Sequence, residues 1–245
     1  MSVIDQHTGY VKALIGGRGE KTASLTLNRA TDTTRQPGST FKILAAYSAA
    51  LDAGGLTLAS VQDDAPYTYA GANGKSVNNY DRRYRGFTTL REAITDSINI
   101  VTVKTLAQAG VSLGWQYVQE YGFTTVDSRD MNEALALGGI TQGVSNLELT
   151  AAYAAIANQG TYIKPKFYTK ILDHDGNVLI DNTTPESHTV IKDTTAWLLT
   201  SAMEDVMTSG TGTSAYFGSS MAQAGKSGTT TSSRDALFAG YTPYY

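Results

Sequence analysis

The sequence predicts an α+β fold, an antiparallel sheet built from both chain ends with an all-α lobe inserted between them. Three observations carry this. Strand-like segments occur at the very start and very end of the 245 residues. The middle is mostly helical. No regular strand–helix alternation of the kind that builds a parallel sheet is present.

In order, Val3-Ile4-Asp5 and Tyr10–Ile15 flank Gln6-His7-Thr8-Gly9 and predict a β-hairpin, closed by the loop Gly16-Gly17-Arg18-Gly19. Pro37-Gly38 ends the segment before Ser39, and Ser39 opens a helix of roughly three to four turns through Ile43–Leu51. Asp52-Ala53-Gly54-Gly55 stops it. Asp63 to Gly86, rich in Gly, Asn and Tyr, predicts a long irregular surface or cleft loop. Thr89-x-x-Glu92 is a capping-box pattern opening a helix from Leu90 to about Thr95. Asp96-Ser97-Ile98-Asn99 interrupts it, and a further helix runs from about Ile100 to Ala109. Trp115–Tyr121 predicts another. Ser145-x-x-Glu148 is a second capping box, opening an alanine-rich helix to Asn158. Tyr162–Leu172 and Val178–Asp181 are expected to pair as a hairpin about His174-Asp175-Gly176-Asn177. Asp173, Asp175 and Asn177 alternate as calcium-loop ligands do, but the glycine is misplaced and no distal glutamate follows. Thr194–Met207 predicts a helix, and Ala222–Thr230 and Ala236–Tyr241 two strands joined through Thr231-Ser232-Ser233-Arg234-Asp235.

Composition narrows the function. At 41% hydrophobic and 17% charged residues the chain can bury a substantial core. A net charge of −3 argues against a general affinity for nucleic acid or anionic membrane. The absence of cysteine excludes disulfides, thiolate metal sites and a cysteine nucleophile. No apolar run approaches the ~18 residues that cross a bilayer. The chain is therefore expected to be an excised domain, with any membrane anchor outside it.

Three short motifs carry the chemistry: Ser39-Thr40-Phe41-Lys42, Ser97-Ile98-Asn99 and Lys226-Ser227-Gly228-Thr229. Ser-x-Asn also occurs at Ser76-Val77-Asn78, in a glycine-rich stretch; the copy between two predicted helices, Ser97, is preferred. A serine hydroxyl is a poor nucleophile without a base. His7, His174 and His188 fall in predicted turns or loops, and there is no Gly-x-Ser-x-Gly elbow, which argues against a Ser-His-Asp triad. Lysine can serve if burial and a second cation lower its pKa. Lys42, three residues from Ser39 on one helical face, is the candidate base, and Lys226 the second cation and carboxylate attractor. Gly228 is expected to leave the strand bare so that an extended peptide can lie on its edge, with Ser227 and Thr229 supplying hydroxyls.

These motifs mark the serine acyltransferases that comprise penicillin-binding proteins and serine β-lactamases. Arg35–Phe41, Asn79-Tyr80-Asp81, Thr89–Ala93, Leu137-Gly138-Gly139, Gly143-Val144-Ser145, Ala224–Thr230 and Gly240-Tyr241-Thr242-Pro243 together resemble the transpeptidase domain of class A, bifunctional penicillin-binding proteins, over essentially the whole chain. The resemblance implies the following. An α/β lobe with a five-stranded antiparallel sheet meets an all-α lobe, and the site lies in the cleft between them. Ser39 attacks a D-Ala-D-Ala peptidoglycan stem peptide, D-alanine leaves, and an amine on a neighbouring strand accepts the acyl group; β-lactam antibiotics mimic the donor. Lys42 is the base, Ser97 relays a proton to the leaving group and Asn99 binds the substrate amide. Lys226, Ser227 and Thr229 hold the carboxylate, and the backbone N–H groups of Ser39 and Thr229 form the oxyanion hole. No cofactor or metal enters this scheme. Residues 1–245 are expected to form the transpeptidase domain, without the final strand and C-terminal helix that the family adds. The parent protein is expected to carry a glycosyltransferase domain and a membrane anchor, and to act on the extracytoplasmic face of the bacterial membrane. A β-lactamase, which would use a glutamate within a Glu-x-x-Leu-Asn pattern that this chain lacks, and a β-lactam receptor that acylates without transfer are the competing readings.

Overall fold

The computed structural model describes residues 1–70, 74–230 and 234–245. Strands β1 (Ser2–Ile4) and β2 (Val11–Leu14) form the expected N-terminal hairpin, with a bulge at Val3/Ile4. Two-residue strands β3 (Thr34–Arg35) and β8 (Val144–Ser145) pair to hold the approach to Ser39. Helical backbone then runs without a break from Gly38 to Asp52, but not as one α-helix: a 3₁₀ turn at Gly38–Thr40 leads into a π-turn at Ile43–Tyr47 and then α1 (Ser48–Asp52). The Ser48 hydroxyl donates to Ile43 O, five residues back, at 2.9 Å, alongside the Ser48 backbone N–H.

The described residues between Asp63 and Gly86 include paired strands that the composition does not predict. Strand β4 (Val61–Asp64) pairs with β7 (Gly86–Thr89), and β5 (Tyr67–Thr68) with β6 (Ser76–Val77) inside that larger hairpin. Helices α2 (Leu90–Thr95) and α3 (Asn99–Ala109) follow, the first opened by the predicted capping box, and α4 spans Val111–Glu120, longer than Trp115–Tyr121 because it starts directly after Gly110. The Ser145/Glu148 capping box opens α5 (Asn146–Ala157).

The segment Tyr162–Leu172 is not one strand. Strand β9 (Thr161–Ile163) pairs with β12 (Ser187–Thr189), whereas only β10 (Lys170–Leu172) pairs with β11 (Val178–Asp181). Between them Lys166 bridges to Tyr10, and Pro165, lacking an N–H, suits the break. The intervening Asp173–Asn177 is the expected turn, its aspartate accepting from Asp175 N and Asn177 N. His188, placed in a loop by sequence, lies on β12, its Nε2 2.8 Å from Glu120 O.

Helix α6 (Asp193–Thr208) packs against β13 (Ala224–Thr229), which pairs in full register with β14 (Ala236–Tyr241). Helix α5 packs on β1, β9 and β14, so the two chain ends share one backing layer. The sheet expected from those ends takes the form of two separate two-stranded ladders, bridged where Gln6 Nε2 donates to Thr242 O and Pro243 O at 3.3 and 3.1 Å. Thr231–Ser233 of the β13–β14 linker, and Gly71–Asn73 before Ser76, lie outside the described residues. The core runs through the helical centre: Phe41, Ile43, Leu44, Leu90, Ile94, Ile100, Val103 and Leu106 are all fully buried. Among the described residues no helix is long and apolar enough to cross a membrane.

Candidate active site

Ser39 sits in the 3₁₀ turn, half-buried, at the start of the central helical run. That turn is clamped from three sides. The Gln36 side chain exchanges hydrogen bonds with the Ile140 backbone, accepting from its N–H at 3.0 Å and donating to its carbonyl. Thr40 Oγ1 donates to Pro37 O at 2.7 Å, and Tyr153 OH, reaching in from α5, donates to Thr40 O at 2.7 Å. Strand β13 lies against the same turn: a Cβ on Gly228 would come 2.7 Å from Pro37 O and 2.8 Å from Thr40 Cγ2. The side of Gly228 where a Cβ would sit therefore faces the Ser39 segment, and glycine here permits the close approach of the two backbones.

Lys42 is fully buried, yet among the described residues it has no carboxylate partner. Its Nζ donates to Ser97 O at 2.6 Å and Asn99 Oδ1 at 2.7 Å, with Ser97 Oγ at 3.2 Å. Burial first, and the nearby Lys226 charge second, hold its pKa well below the ordinary lysine value. In the neutral form, two N–H groups would satisfy the two carbonyl acceptors and leave the lone pair for a hydroxyl proton. Among the described residues none of these contacts is with Ser39; in this resting geometry the hydroxyl on Lys42 is that of Ser97.

Lys226, also fully buried on β13, is brought down to about 7 by burial. Its neighbour Ser227 donates to Thr211 Oγ1 at 2.8 Å. A cavity of about 480 Å³ is lined by Ser39, Ser97, Asn99, Ser227 and Thr229, together with Tyr80 and Thr211. The three sequence motifs thus converge on one cleft. A larger open groove of about 590 Å³ beside Trp197, between α5 and α6, has only Asp193 as a titratable lining group and no comparable cluster.

Ser97 has an unusual backbone. Helix α2 ends in a Schellman motif, with Ile98 N donating to Ala93 O at 2.9 Å and Ser97 N to Ile94 O at 3.3 Å. Ser97 occupies the left-handed position, φ +56°, where glycine is the usual residue. This aims its carbonyl and hydroxyl together at Lys42. Ser76, the alternative Ser-x-Asn serine, is exposed on β6 and does not line the cleft.

Sequence reasoning assigned no role to Tyr80, Thr211 or Asn79. Tyr80 and Thr211 belong to stretches without secondary-structure periodicity, and only the tertiary fold brings them to the cleft mouth. Glu148, the carboxylate of the α5 capping box, accepts from Ser145 N, Ser145 Oγ, Thr124 N and Thr124 Oγ1, so its acceptor capacity is committed to structure.

The chain matches the family model described as "Penicillin binding protein transpeptidase domain" over residues 1–244, and it belongs to that family. Among its relatives are penicillin-binding protein 1F of Bacillus subtilis, 39% identical over 98% of this chain and 33% of the relative, and penicillin-binding protein 1A of Clostridium perfringens, 36% identical over 100% of this chain and 37% of the relative. The fold matches penicillin-binding protein 1A from Haemophilus influenzae (TM-score 0.85, 28% identity, 98% of this chain and 41% of that one). It also matches the PonA1 protein from Mycobacterium tuberculosis in complex with penicillin V (TM-score 0.81, 25% identity, 99% of this chain and 65% of that one). The chain spans about a third of the length of these curated relatives.

Proposed function

We propose that this domain is a serine-type D,D-transpeptidase of peptidoglycan synthesis. The Ser39 oxygen attacks the carbonyl carbon of the penultimate D-alanine of a stem peptide while its proton passes to neutral Lys42 Nζ. The tetrahedral intermediate collapses, the C–N bond breaks, and the terminal D-alanine leaves as an amine after receiving a proton through Ser97. An acceptor amine then attacks the Ser39 ester, and its surplus proton returns by the same route to restore the Ser39 hydroxyl. Asn99 binds the donor amide, Lys226 with Ser227 and Thr229 holds the terminal carboxylate, and the N–H groups of Ser39 and Thr229 receive the oxyanion. A β-lactam follows the first half of this path, but its leaving amine stays tethered and the acyl-enzyme persists.

The observation that carries this reading is the buried Lys42 without a carboxylate partner, its pKa lowered by burial and by Lys226, hydrogen-bonded to Ser97 and Asn99 beside the Ser39 cleft. Burying an ammonium without a counter-ion is costly, which favours the neutral form, and the neutral form is the one a base needs. Transfer is favoured over hydrolysis because, among the described residues, the cavity lining carries no carboxylate to activate water. Residues 1–245 form the transpeptidase domain of a longer, membrane-anchored protein that also carries a glycosyltransferase domain and works on the extracytoplasmic face; the one-third coverage of its relatives supports this. The test is to incubate the protein with an acyl-D-Ala-D-Ala peptide and an amine acceptor, then follow free D-alanine and the new amide by mass spectrometry. Equimolar D-alanine and cross-linked amide are expected. D-alanine with only the hydrolysed peptide would contradict transfer.

A further inference from the structure

The N-terminus of α3 is capped by a residue twenty positions upstream. Ile98, at the N-cap position, has no side-chain acceptor, so the first N–H groups of the helix need another partner. Asn79 supplies it: its Oδ1 accepts from Asn99 N at 3.0 Å and Ile100 N at 3.2 Å. Its Nδ2 donates to both oxygens of Asp64, at 2.8 and 3.0 Å, and to Arg83 O at 2.8 Å. Asn79 is 2% exposed and Asp64 0%. The amide can face only this way, because reversing it would set oxygen against carboxylate and nitrogen against two N–H groups. Asp64 is itself fixed by accepting from Arg85 N at 2.9 Å.

The helix end so capped is the one that bears Asn99. Asn99 Oδ1 accepts from Lys42 Nζ, and Asn99 Nδ2 donates to Asn78 O at 2.7 Å, one residue before the cap. Asp64, Asn79, Asn99, Lys42 and Ser97 therefore form one continuous polar chain from the β4–β7 hairpin into the cleft. An ordinary cap at position 98 would satisfy the helix equally well. Capping from Asn79 instead locks the cleft-lip stretch that carries Tyr80 to the helix that carries Asn99.

We propose that Asn79, held by the buried Asp64 carboxylate, is a positioning residue for acylation: it sets the N-terminus of α3 so that Asn99 Oδ1 stays on Lys42 Nζ. This rests on the reading of Lys42 as the base. Asn79→Asp keeps an acceptor for both N–H groups but loses the donor and places carboxylate on carboxylate. Exchanging the pair, Asn79→Asp with Asp64→Asn, restores one donor–acceptor contact between the two positions.

The test is the time course of benzylpenicillin acylation at saturating drug, separating amplitude (the fraction of molecules that acylate) from rate constant. Asn79→Asp is expected to lower the rate constant at least tenfold with near-full amplitude, and to displace the acid limb of its pH profile. The exchanged pair is expected to recover most of the rate. A variant that loses amplitude and melting temperature but keeps the wild-type rate constant and pH profile would show that Asn79 serves the fold alone and overturn the proposal. So would an exchanged pair that folds and stays slow. If Asn79→Asp does not fold, Asp64→Asn is measured by the same criteria. Failure of the wild-type protein to acylate would refute the proposed function itself, a result distinct from either.

Discussion

Replacing Ser97 by glycine should stabilise the domain relative to alanine while leaving it equally impaired. Both substitutions remove the hydroxyl that lies 3.2 Å from Lys42 Nζ. They differ in the backbone, because Ser97 stands at φ +56° in the left-handed slot of a Schellman motif. An L-residue there costs about 1–2 kcal/mol, which alanine retains and glycine does not. Glycine gives back roughly 0.5–1 kcal/mol in unfolded-chain entropy. Taking the middle of each range, the net advantage of Ser97→Gly over Ser97→Ala is roughly 0.75 kcal/mol, or about 1.5–3 °C in melting temperature for a chain of this size. Thermal unfolding by circular dichroism reads the stability, and stopped-flow acylation by a chromogenic β-lactam reads the chemistry, with both variants at least tenfold slower than wild type. A glycine variant that melts at or below the alanine variant would refute the claim that this site stores backbone strain. Wild-type acylation in either would remove the hydroxyl from the mechanism.

Three further outcomes follow from the same geometry. Lys42→Ala should slow acylation by about 10²–10⁴, the usual worth of a positioned base; an unchanged rate in the same stopped-flow assay would exclude Lys42. Gly228→Ala puts a methyl 2.7 Å from Pro37 O, so urea denaturation should show a loss of about 1–3 kcal/mol and acylation should slow as β13 is pushed off the Ser39 turn. Stability should also depend on pH in a defined sense. Lys226 has a folded pKa of about 7 against 10.5 for the free side chain, so the unfolded state binds more protons in that interval and stability rises as pH climbs from about 7 towards 10. Buried Tyr47, Tyr121 and Tyr241, whose pKa values burial raises above 10.0, reverse the trend beyond pH 10, since their unfolded forms ionise first. Urea midpoints from pH 6 to 11 check both limbs, and Lys226→Met should make the rising one shallower, leaving the part that buried Lys42 contributes in the same direction.

Much of this was legible in the sequence because its signals are local. The capping boxes at Thr89/Glu92 and Ser145/Glu148 mark helix starts that the structure reproduces, and Ala236–Tyr241 is a strand over the expected residues. The three motifs predicted one cleft because each is short and placed at the end or edge of its own element. What escaped depends on distant partners. Tyr162–Leu172 has a continuous strand-like composition, yet its two halves find different strands: β9 pairs with β12, more than twenty residues on, and β10 with the neighbouring β11. The π-turn after Lys42 is invisible to a helical pattern that tolerates one extra residue. The asparagine cap at Asn79 reaches across twenty residues, and no capping rule based on neighbouring positions could find it.

The central claim, an activated Ser39, is tested most directly by one intact-mass spectrum after incubation with benzylpenicillin, followed by peptide mapping. The account predicts a single adduct of the full drug mass on the peptide containing Ser39, stable for many minutes and absent from Ser39→Ala. An adduct elsewhere, rapid turnover of the drug without a lasting adduct, or an unmodified folded protein would contradict it.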